Sequence, residues 1–173
     1  MAERGSGLRD YVITNAKGRG WAELWPLVMQ ARSGLLSELL DVSEERATRQ
    51  PASGEGEEAW SMFQVMQHVL TYTRNVSAII EATAKGEQVF KDPPGAIHGV
   101  AETSWRGLQD ALVEASAELA NLHSRLPAEP NLRTTVSHAV FGPFNCREWF
   151  VFLSWHDASH QRQIASLKEQ FAS

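Results

Sequence analysis

Four segments of the chain carry apolar residues three and four positions apart, which is the spacing of an amphipathic helix. We predict helices over about 20–40, from 59 or 61 to 85, from 103 or 104 to 126, and over 145–171. Gly86 follows the second of these segments and is a typical helix terminator. No segment shows a convincing strand alternation. The pattern therefore predicts an all-α protein.

The predicted third and fourth helices also carry recognisable end signals. Thr103 or Ser104 can cap the third helix, and Pro127 stops it. Asn145 opens the fourth helix, and Glu148 three residues later gives a variant of the capping box. These signals set the predicted ends of the two helices.

The connections between the helices are long. We predict loops at 41–58 and 87–102, both of which contain proline and glycine. Residues 1–19 form an N-terminal extension, which can hold a short helix over about 8–16. The four amphipathic helices can bury their apolar stripes only against one another, so we predict a four-helix bundle with long connecting loops. We expect a single domain over residues 1–173, because a chain of this length can bury a hydrophobic core large enough to be stable without disulfide bonds.

The composition limits the classes of partner. The chain has 16 basic and 21 acidic residues, and its basic residues are scattered, which argues against nucleic-acid binding. No apolar run approaches the roughly 18 residues of a membrane span, and the N-terminus lacks the apolar segment of a secretory signal. The only cysteine, Cys146, cannot form an intramolecular disulfide. We expect a cytoplasmic protein that acts on a small molecule.

Two histidines in the fourth helix carry the strongest chemical signal. On a helical wheel, His156 and His160 fall in the middle of the stripe that contains Trp149, Ile164 and Leu167. A buried imidazole needs a partner, and residues four apart have Cβ atoms about 5–6 Å apart, so both rings can reach one metal ion. The alternative is that each ring is a core histidine with a hydrogen-bonded neighbour. Spacing alone does not decide between these interpretations.

A third imidazole comes from the second helix, where His68 lies on the inward half. If the second and fourth helices are neighbours, His68 can complete a set of three nitrogens with an open position for a substrate. Tyr72, Gln163 and His138 are candidates for supporting roles around this set. Asp157 falls off the apolar stripe, which makes it an uncertain candidate for a general base.

The sequence resembles the DinB-like superfamily, also described as the DinB/YfiT-like metalloenzymes, over about 21–171. The resemblance is carried by the Trp-Ser pair that begins the second helix ahead of His68, by the Phe-Gly-Pro-Phe stretch with the Glu-Trp pair after it, and by the His-x-x-x-His motif followed by Gln-Ile. It implies that His68, His156 and His160 take the places of the family's metal ligands. It also implies an up-down-down-up bundle, often a homodimer, with nickel or zinc as the metal.

The resemblance leaves the reaction open. Some relatives use low-molecular-weight thiols such as bacillithiol or mycothiol, and others resemble metal-dependent hydrolases. Because a thiol that coordinates a metal is readily deprotonated, our leading prediction is a divalent-metal-dependent S-transferase that adds a small thiol to an electrophile. We expect the loop at 87–102 to help shape the entrance. The alternatives are a metal-dependent hydrolase and a non-catalytic metal-binding or stress-response module.

Overall fold

The structure, a computed structural model, describes residues 2–89 and 104–171, with side chains from residue 7 onward. In chain order its elements are α1 (Ala2–Ala16), α2 (Trp21–Ser37), α3 (Glu44–Thr48), a 3-10 turn (Gly56–Ala59), α4 (Met62–Lys85), α5 (Trp105–Leu122), a second 3-10 turn (His123–Arg125), β1 (Val136–His138), β2 (Gly142–Phe144) and α6 (Cys146–Gln170). The long helices α2, α4, α5 and α6 are the four helices predicted from the sequence. The prediction of an all-α fold is confirmed.

The helix ends show why the sequence places them where it does. The Ser61 hydroxyl accepts a hydrogen bond from the backbone N–H of Gln64, and the Gln64 side chain accepts one from the backbone N–H of Ser61. Gly86 ends α4 with a φ of 81°, a left-handed conformation that glycine adopts at little cost. At the start of α6, Asn145 and Glu148 form the same reciprocal arrangement as Ser61 and Gln64. The predicted signals at Gly86, Asn145 and Glu148 therefore act as helix ends, and the structure adds the capping box of Ser61 and Gln64.

The segments outside the four helices hold more structure than we predicted. The predicted loop at 41–58 contains α3, which Ser43 caps by accepting a hydrogen bond from the backbone N–H of Arg46, and a 3-10 turn. The N-terminal helix reaches back to Ala2, well before the predicted start near residue 8. Of the predicted loop at 87–102, residues 90–102 lie outside the described part of the chain.

A short hairpin contradicts the expectation that the chain has no strand. In it β1 and β2 pair in antiparallel register, with Val136 opposite Phe144 and His138 opposite Gly142. Three residues per strand are too few to give a detectable alternation, so the sequence pattern could not show them. The hairpin leads directly into α6 and places His138 beside that helix.

The core of the bundle holds two apolar clusters and a set of buried polar residues where they adjoin. We call this set the polar layer; it consists of Arg32, His68, Thr73, Ser116, His156, Asp157 and His160. One cluster contains Leu24 of α2 and Trp149 of α6, and the other contains Leu35 of α2 and Ile164 of α6. Along the chain, α2 and α6 pass from the first cluster to the second, whereas α4 and α5 pass from the second to the first. That order is the one expected of an up-down-down-up bundle, which stays our prediction for the topology.

The N-terminal helix α1 packs on α6 and holds the hairpin. Val12 is fully buried in the first cluster. The Arg9 guanidinium donates hydrogen bonds to the backbone carbonyls of Phe141 and Pro143, and it lies over the Phe144 ring at 5.5 Å from the ring centre. The extension therefore supports one wall of the site described next. No helix in the described ranges is both long and apolar enough to cross a bilayer.

Candidate metal centre

Three buried histidines converge in the polar layer. His68 of α4 and His156 and His160 of α6 are 4%, 6% and 5% exposed. The Nε2 atoms of His68 and His156 are 2.9 Å apart, and one ring nitrogen from each of the three residues lies within 4.8 Å of the others. Nitrogen ligands at about 2.0–2.1 Å from a tetrahedral ion are separated by about 3.3 Å. The cluster could therefore hold a metal ion with small side-chain adjustments.

The three imidazoles are held in the neutral form that binds metals. Burial is the main reason that the pKa of His68 falls to about 3, and the nearby His156 and His160 lower it further. Burial also lowers the pKa of His156 to about 4, against an opposing effect of Asp157, and it lowers the pKa of His160. A neutral imidazole has one nitrogen lone pair available for a metal. The chemistry of the donor set thus fits a divalent ion.

Gln163 selects the nitrogen that His160 presents to the cluster. The Gln163 amide nitrogen donates to the backbone carbonyl of Glu57 at 2.7 Å, which leaves the amide oxygen facing His160. That oxygen lies 2.8 Å from His160 Nδ1, so Nδ1 carries the proton and donates it. The Nε2 lone pair of His160 is then free. This is the usual way in which a neighbouring group orients a metal-binding histidine.

Tyr72 covers one face of His156. The two rings stack with their centres 3.9 Å apart and an angle of 13° between their planes. The Tyr72 hydroxyl and the Nδ1 atom of His156 are both buried and have no hydrogen-bond partner among the described residues. The nearest carboxylate oxygen to Nδ1, on Asp157, is 3.8 Å away, which is too far for a hydrogen bond. Burial and the Asp157 charge raise the pKa of Tyr72 well above its usual value.

A buried ion pair lies directly behind the histidines. Asp157 is fully buried, and its two oxygens accept hydrogen bonds from Arg32 of α2 at 2.7 and 3.1 Å. Arg32 also donates to Thr73 of α4 at 2.6 Å and to Ser116 of α5 at 3.2 Å. The network joins all four long helices. It fixes α6, and with it His156, against the rest of the bundle.

Sequence reasoning missed this network, although a signal for it exists. Arg32 continues the apolar spacing of Leu24, Val28 and Leu35 on α2, so an arginine stands where a core residue is expected. Asp157 lies off the apolar stripe of α6 but is buried nevertheless, because α6 also packs along α2. A helical-wheel analysis that assumes one buried face of α6 cannot reveal the second face, which packs against α2.

Two cavities adjoin the histidines. We call the first the aromatic chamber; it has a volume of about 380 Å³, contacts all three histidines, and has as its other main lining residues Tyr72, His138, Phe141, Phe152 and Trp155. We call the second the polar cleft; its volume is about 470 Å³, and its lining includes Ser53, Glu58, Gln163, Ser166 and Gln170. Glu57, Ser159 and His160 line both cavities. One of the candidate metal ligands, His160, therefore borders both spaces.

His138 lies in the chamber wall, apart from the three-histidine cluster. Its Nδ1 atom accepts hydrogen bonds from the backbone N–H groups of Val140 at 3.0 Å and Phe141 at 3.3 Å, so the proton of the neutral ring is on Nε2. Burial lowers its pKa to about 4. The ring packs against Phe152 with centres 4.9 Å apart. The structure thus places all three supporting candidates, Tyr72, Gln163 and His138, next to the cluster or its chamber.

The fold and the site together define an all-α protein with a buried histidine cluster that could hold a metal ion. A family model described as the DinB superfamily matches residues 28–164. The chain therefore belongs to the DinB superfamily, as its resemblance implied. The match begins within α2, ends within α6 and includes all three histidines of the cluster. A search of curated proteins finds no match to the chain.

Proposed function

We propose that this chain is an enzyme that depends on one divalent metal ion held by His68, His156 and His160. The observation that carries the proposal is the convergence of three neutral, buried imidazoles beside a cavity. The 2.9 Å separation of the His68 and His156 Nε2 atoms is also that of a hydrogen bond between two neutral rings, so it is the third imidazole, from His160, that favours a metal ion. Three imidazole nitrogens suit nickel and zinc, and we propose one of these as the metal.

We further propose that the reaction transfers a small thiol to an electrophile. The thiol sulfur would form a bond to a carbon of the electrophile, the bond from that carbon to a leaving group such as chloride would break, and the thiol proton would pass to solvent. Bound to the histidines, a divalent ion would favour the thiolate form of a coordinated thiol at neutral pH. The two cavities support a reaction of two substrates, because His160 is among the lining residues of both. The chain's own residues would hold the substrates in these cavities and bring their reacting atoms together.

The first experiment measures the metal content of the purified protein. We expect about one ion per chain in the wild type and a large loss in His156→Ala, because two imidazoles form a much weaker site than three. The matched control is His123→Ala, since His123 is exposed and lies at the end of α5, outside the cluster. Equal metal content in wild type and His156→Ala would refute the proposed ligand set.

The second experiment measures turnover of a general electrophile, 1-chloro-2,4-dinitrobenzene, with several small thiols. We expect a rate that depends on added nickel or zinc and that is lost in His156→Ala. If none of the thiols gives a metal-dependent rate, the transferase proposal is refuted. Metal content without turnover would instead favour a metal-binding module.

A hydrolase is the second candidate, and Glu57 is the residue that favours it. Of the described residues that line the aromatic chamber, Glu57 is the only one with a carboxylate, and it could accept a proton from the attacking water. Asp157 is a poor candidate for this general base, because it is fully buried and both of its oxygens accept hydrogen bonds from Arg32. Glu57→Gln should abolish ester or amide hydrolysis but leave thiol transfer largely intact. Glu58→Gln is the matched control, since Glu58 lines only the polar cleft.

The family also implies a homodimer, and we propose that state together with a cytoplasmic location. Light scattering of the purified protein tests the first, since a mass near 19.2 kDa would indicate a monomer and refute it. Fractionation of the source cells tests the second.

A further inference from the structure

The aromatic chamber has the walls of a site for a flat, uncharged molecule. Phe141, Phe152 and Trp155 supply aromatic surface, and no lysine or arginine is among the described residues that line it. Glu57, which does line it, would repel an anion. A volume of about 380 Å³ is near the lower end of the range for small-ligand sites, about 300–1,000 Å³. The chamber therefore suits one small molecule with a flat apolar part.

Two residues that line this chamber carry a buried polar atom with no hydrogen-bond partner among the described residues, the Tyr72 hydroxyl and Nδ1 of His156, and only the first is a hydroxyl. Tyr72 is 2% exposed, it lines the chamber, and its hydroxyl makes no hydrogen bond to any described residue. Buried hydroxyl groups nearly always have a partner, so an unpaired one beside a cavity calls for an explanation. Stacking on His156 and packing against Phe152, at a centre-to-centre distance of 6.1 Å, restrict the Tyr72 ring. The hydroxyl oxygen itself has almost no accessible surface, so a ligand in the chamber reaches it only when a neighbouring wall residue shifts.

We propose that the aromatic chamber binds a small, uncharged aromatic compound with a hydrogen-bond acceptor, such as a carbonyl or nitro group, and that the Tyr72 hydroxyl donates to this acceptor. The identification of this compound as the electrophile rests on the proposed function. Binding of the compound to the chamber does not, since it needs only the aromatic wall and Tyr72. The hydrogen bond would place the electrophile beside the histidine cluster, because Tyr72 stacks on His156.

The test compares two unreactive probes of similar shape, acetophenone and ethylbenzene, of which only the first has an acceptor. Calorimetric titration gives the dissociation constant of each probe for wild type and Tyr72→Phe. We expect Tyr72→Phe to weaken acetophenone binding about three- to tenfold, as the loss of one hydrogen bond does, and to leave ethylbenzene binding unchanged. Equal effects on the two probes, or no binding of either to the wild type, would overturn the proposal.

Two further variants and one stability measurement sharpen the test. Tyr11→Phe is the matched control, because Tyr11 is the only other tyrosine and is 48% exposed outside the chamber; it should change neither constant. Phe141→Ala removes part of the aromatic wall and should weaken both probes; unchanged binding would place the probes elsewhere. Tyr72→Phe should unfold at or above the wild-type temperature, since its hydroxyl has no partner to lose. A marked fall would assign the hydroxyl to the fold and overturn the proposal.

The titrations are run on the protein as purified and after removal of metal by a chelator, with metal content measured in each sample. A Tyr72-dependent preference for acetophenone in both samples supports the inference, whatever the metal content. A normal metal content without that preference overturns the inference and leaves the proposed function standing. A protein that binds no metal but keeps the Tyr72-dependent preference for acetophenone overturns the proposed function and leaves the inference standing.

Discussion

The buried pair of Arg32 and Asp157 is the most informative place to perturb this fold. Their side chains are 1% and 0% exposed, and the shortest of their contacts is 2.7 Å. Arg32 has two further hydrogen-bond acceptors, Thr73 and Ser116. Removal of Arg32 therefore leaves the Asp157 carboxylate in the middle of the bundle with neither a counter-ion nor solvent to stabilise its charge. We propose Arg32→Met, which keeps most of the side-chain volume and removes the charge.

The expected cost follows from the burial of the pair. Breaking a fully buried ion pair on one side costs about 3–5 kcal/mol in the free energy of unfolding. A domain of this size has about 5–15 kcal/mol in total, and each kcal/mol corresponds to about 2–4 °C in Tm. Arg32→Met should therefore lower Tm by about 6–20 °C. Asp157→Leu should cost a similar amount, because it leaves the guanidinium unpaired.

The double variant Arg32→Met/Asp157→Leu should recover most of the loss. Replacing a buried ion pair by apolar residues of similar volume is often neutral or stabilising. Thr73 and Ser116 would not be left without partners, since each hydroxyl also donates to the helix carbonyl four residues earlier. The sum of the two single costs should thus greatly exceed the cost of the double change.

The assay is urea unfolding followed by circular dichroism for the wild type, both single variants and the double variant. The exposed pair of Arg106 and Asp110 on α5 supplies the control, because it has the same charges in solvent; Arg106→Met should change stability little. If Arg32→Met is as mild as Arg106→Met, the reasoning from burial is wrong. A double variant whose loss of unfolding free energy equals the sum of the two single losses would show that Arg32 and Asp157 are not coupled, and would also refute the reasoning.

Three further predictions concern other parts of the structure. Because burial lowers the pKa of His138 to about 4 from 6.5, its contribution to stability is present above pH 6.5 and is lost as the pH falls toward 4. The urea midpoint of His138→Gln should therefore fall less between pH 7 and pH 5 than that of the wild type, and an equal fall would contradict the assignment. Gln163→Leu removes the acceptor of the His160 proton and should weaken metal binding about 10- to 100-fold in a chelator competition; unchanged affinity would show that Gln163 does not orient the ring. Gly86→Ala, at a φ of 81° and with Asn131 close to the added methyl group, should cost about 1 kcal/mol or more in urea unfolding, and a neutral effect would argue against the left-handed end of α4.

The local features of the fold could be read from the sequence because they depend on residues close together in the chain. The predicted cap at Asn145 and the predicted terminator Gly86 act within one helical turn, so their signals are local. The apolar spacing of the four long helices is likewise a property of each segment. The placement of His156 and His160 on one face of α6 follows from the geometry of a single helix. These elements needed no knowledge of neighbours.

The neighbours themselves were decided only by tertiary structure. Whether His68 meets His156 depends on how α4 packs on α6, and the spacing of neither helix contains that information. The pair of Arg32 and Asp157 is invisible for the same reason, since its partners are 125 residues apart. The Tyr72 hydroxyl has no hydrogen-bond partner among the described residues, and only the tertiary surroundings of the ring can show that. The sequence thus determined the helices and their ends, whereas the packing of α6 against α2 and α4 brought the chemistry together.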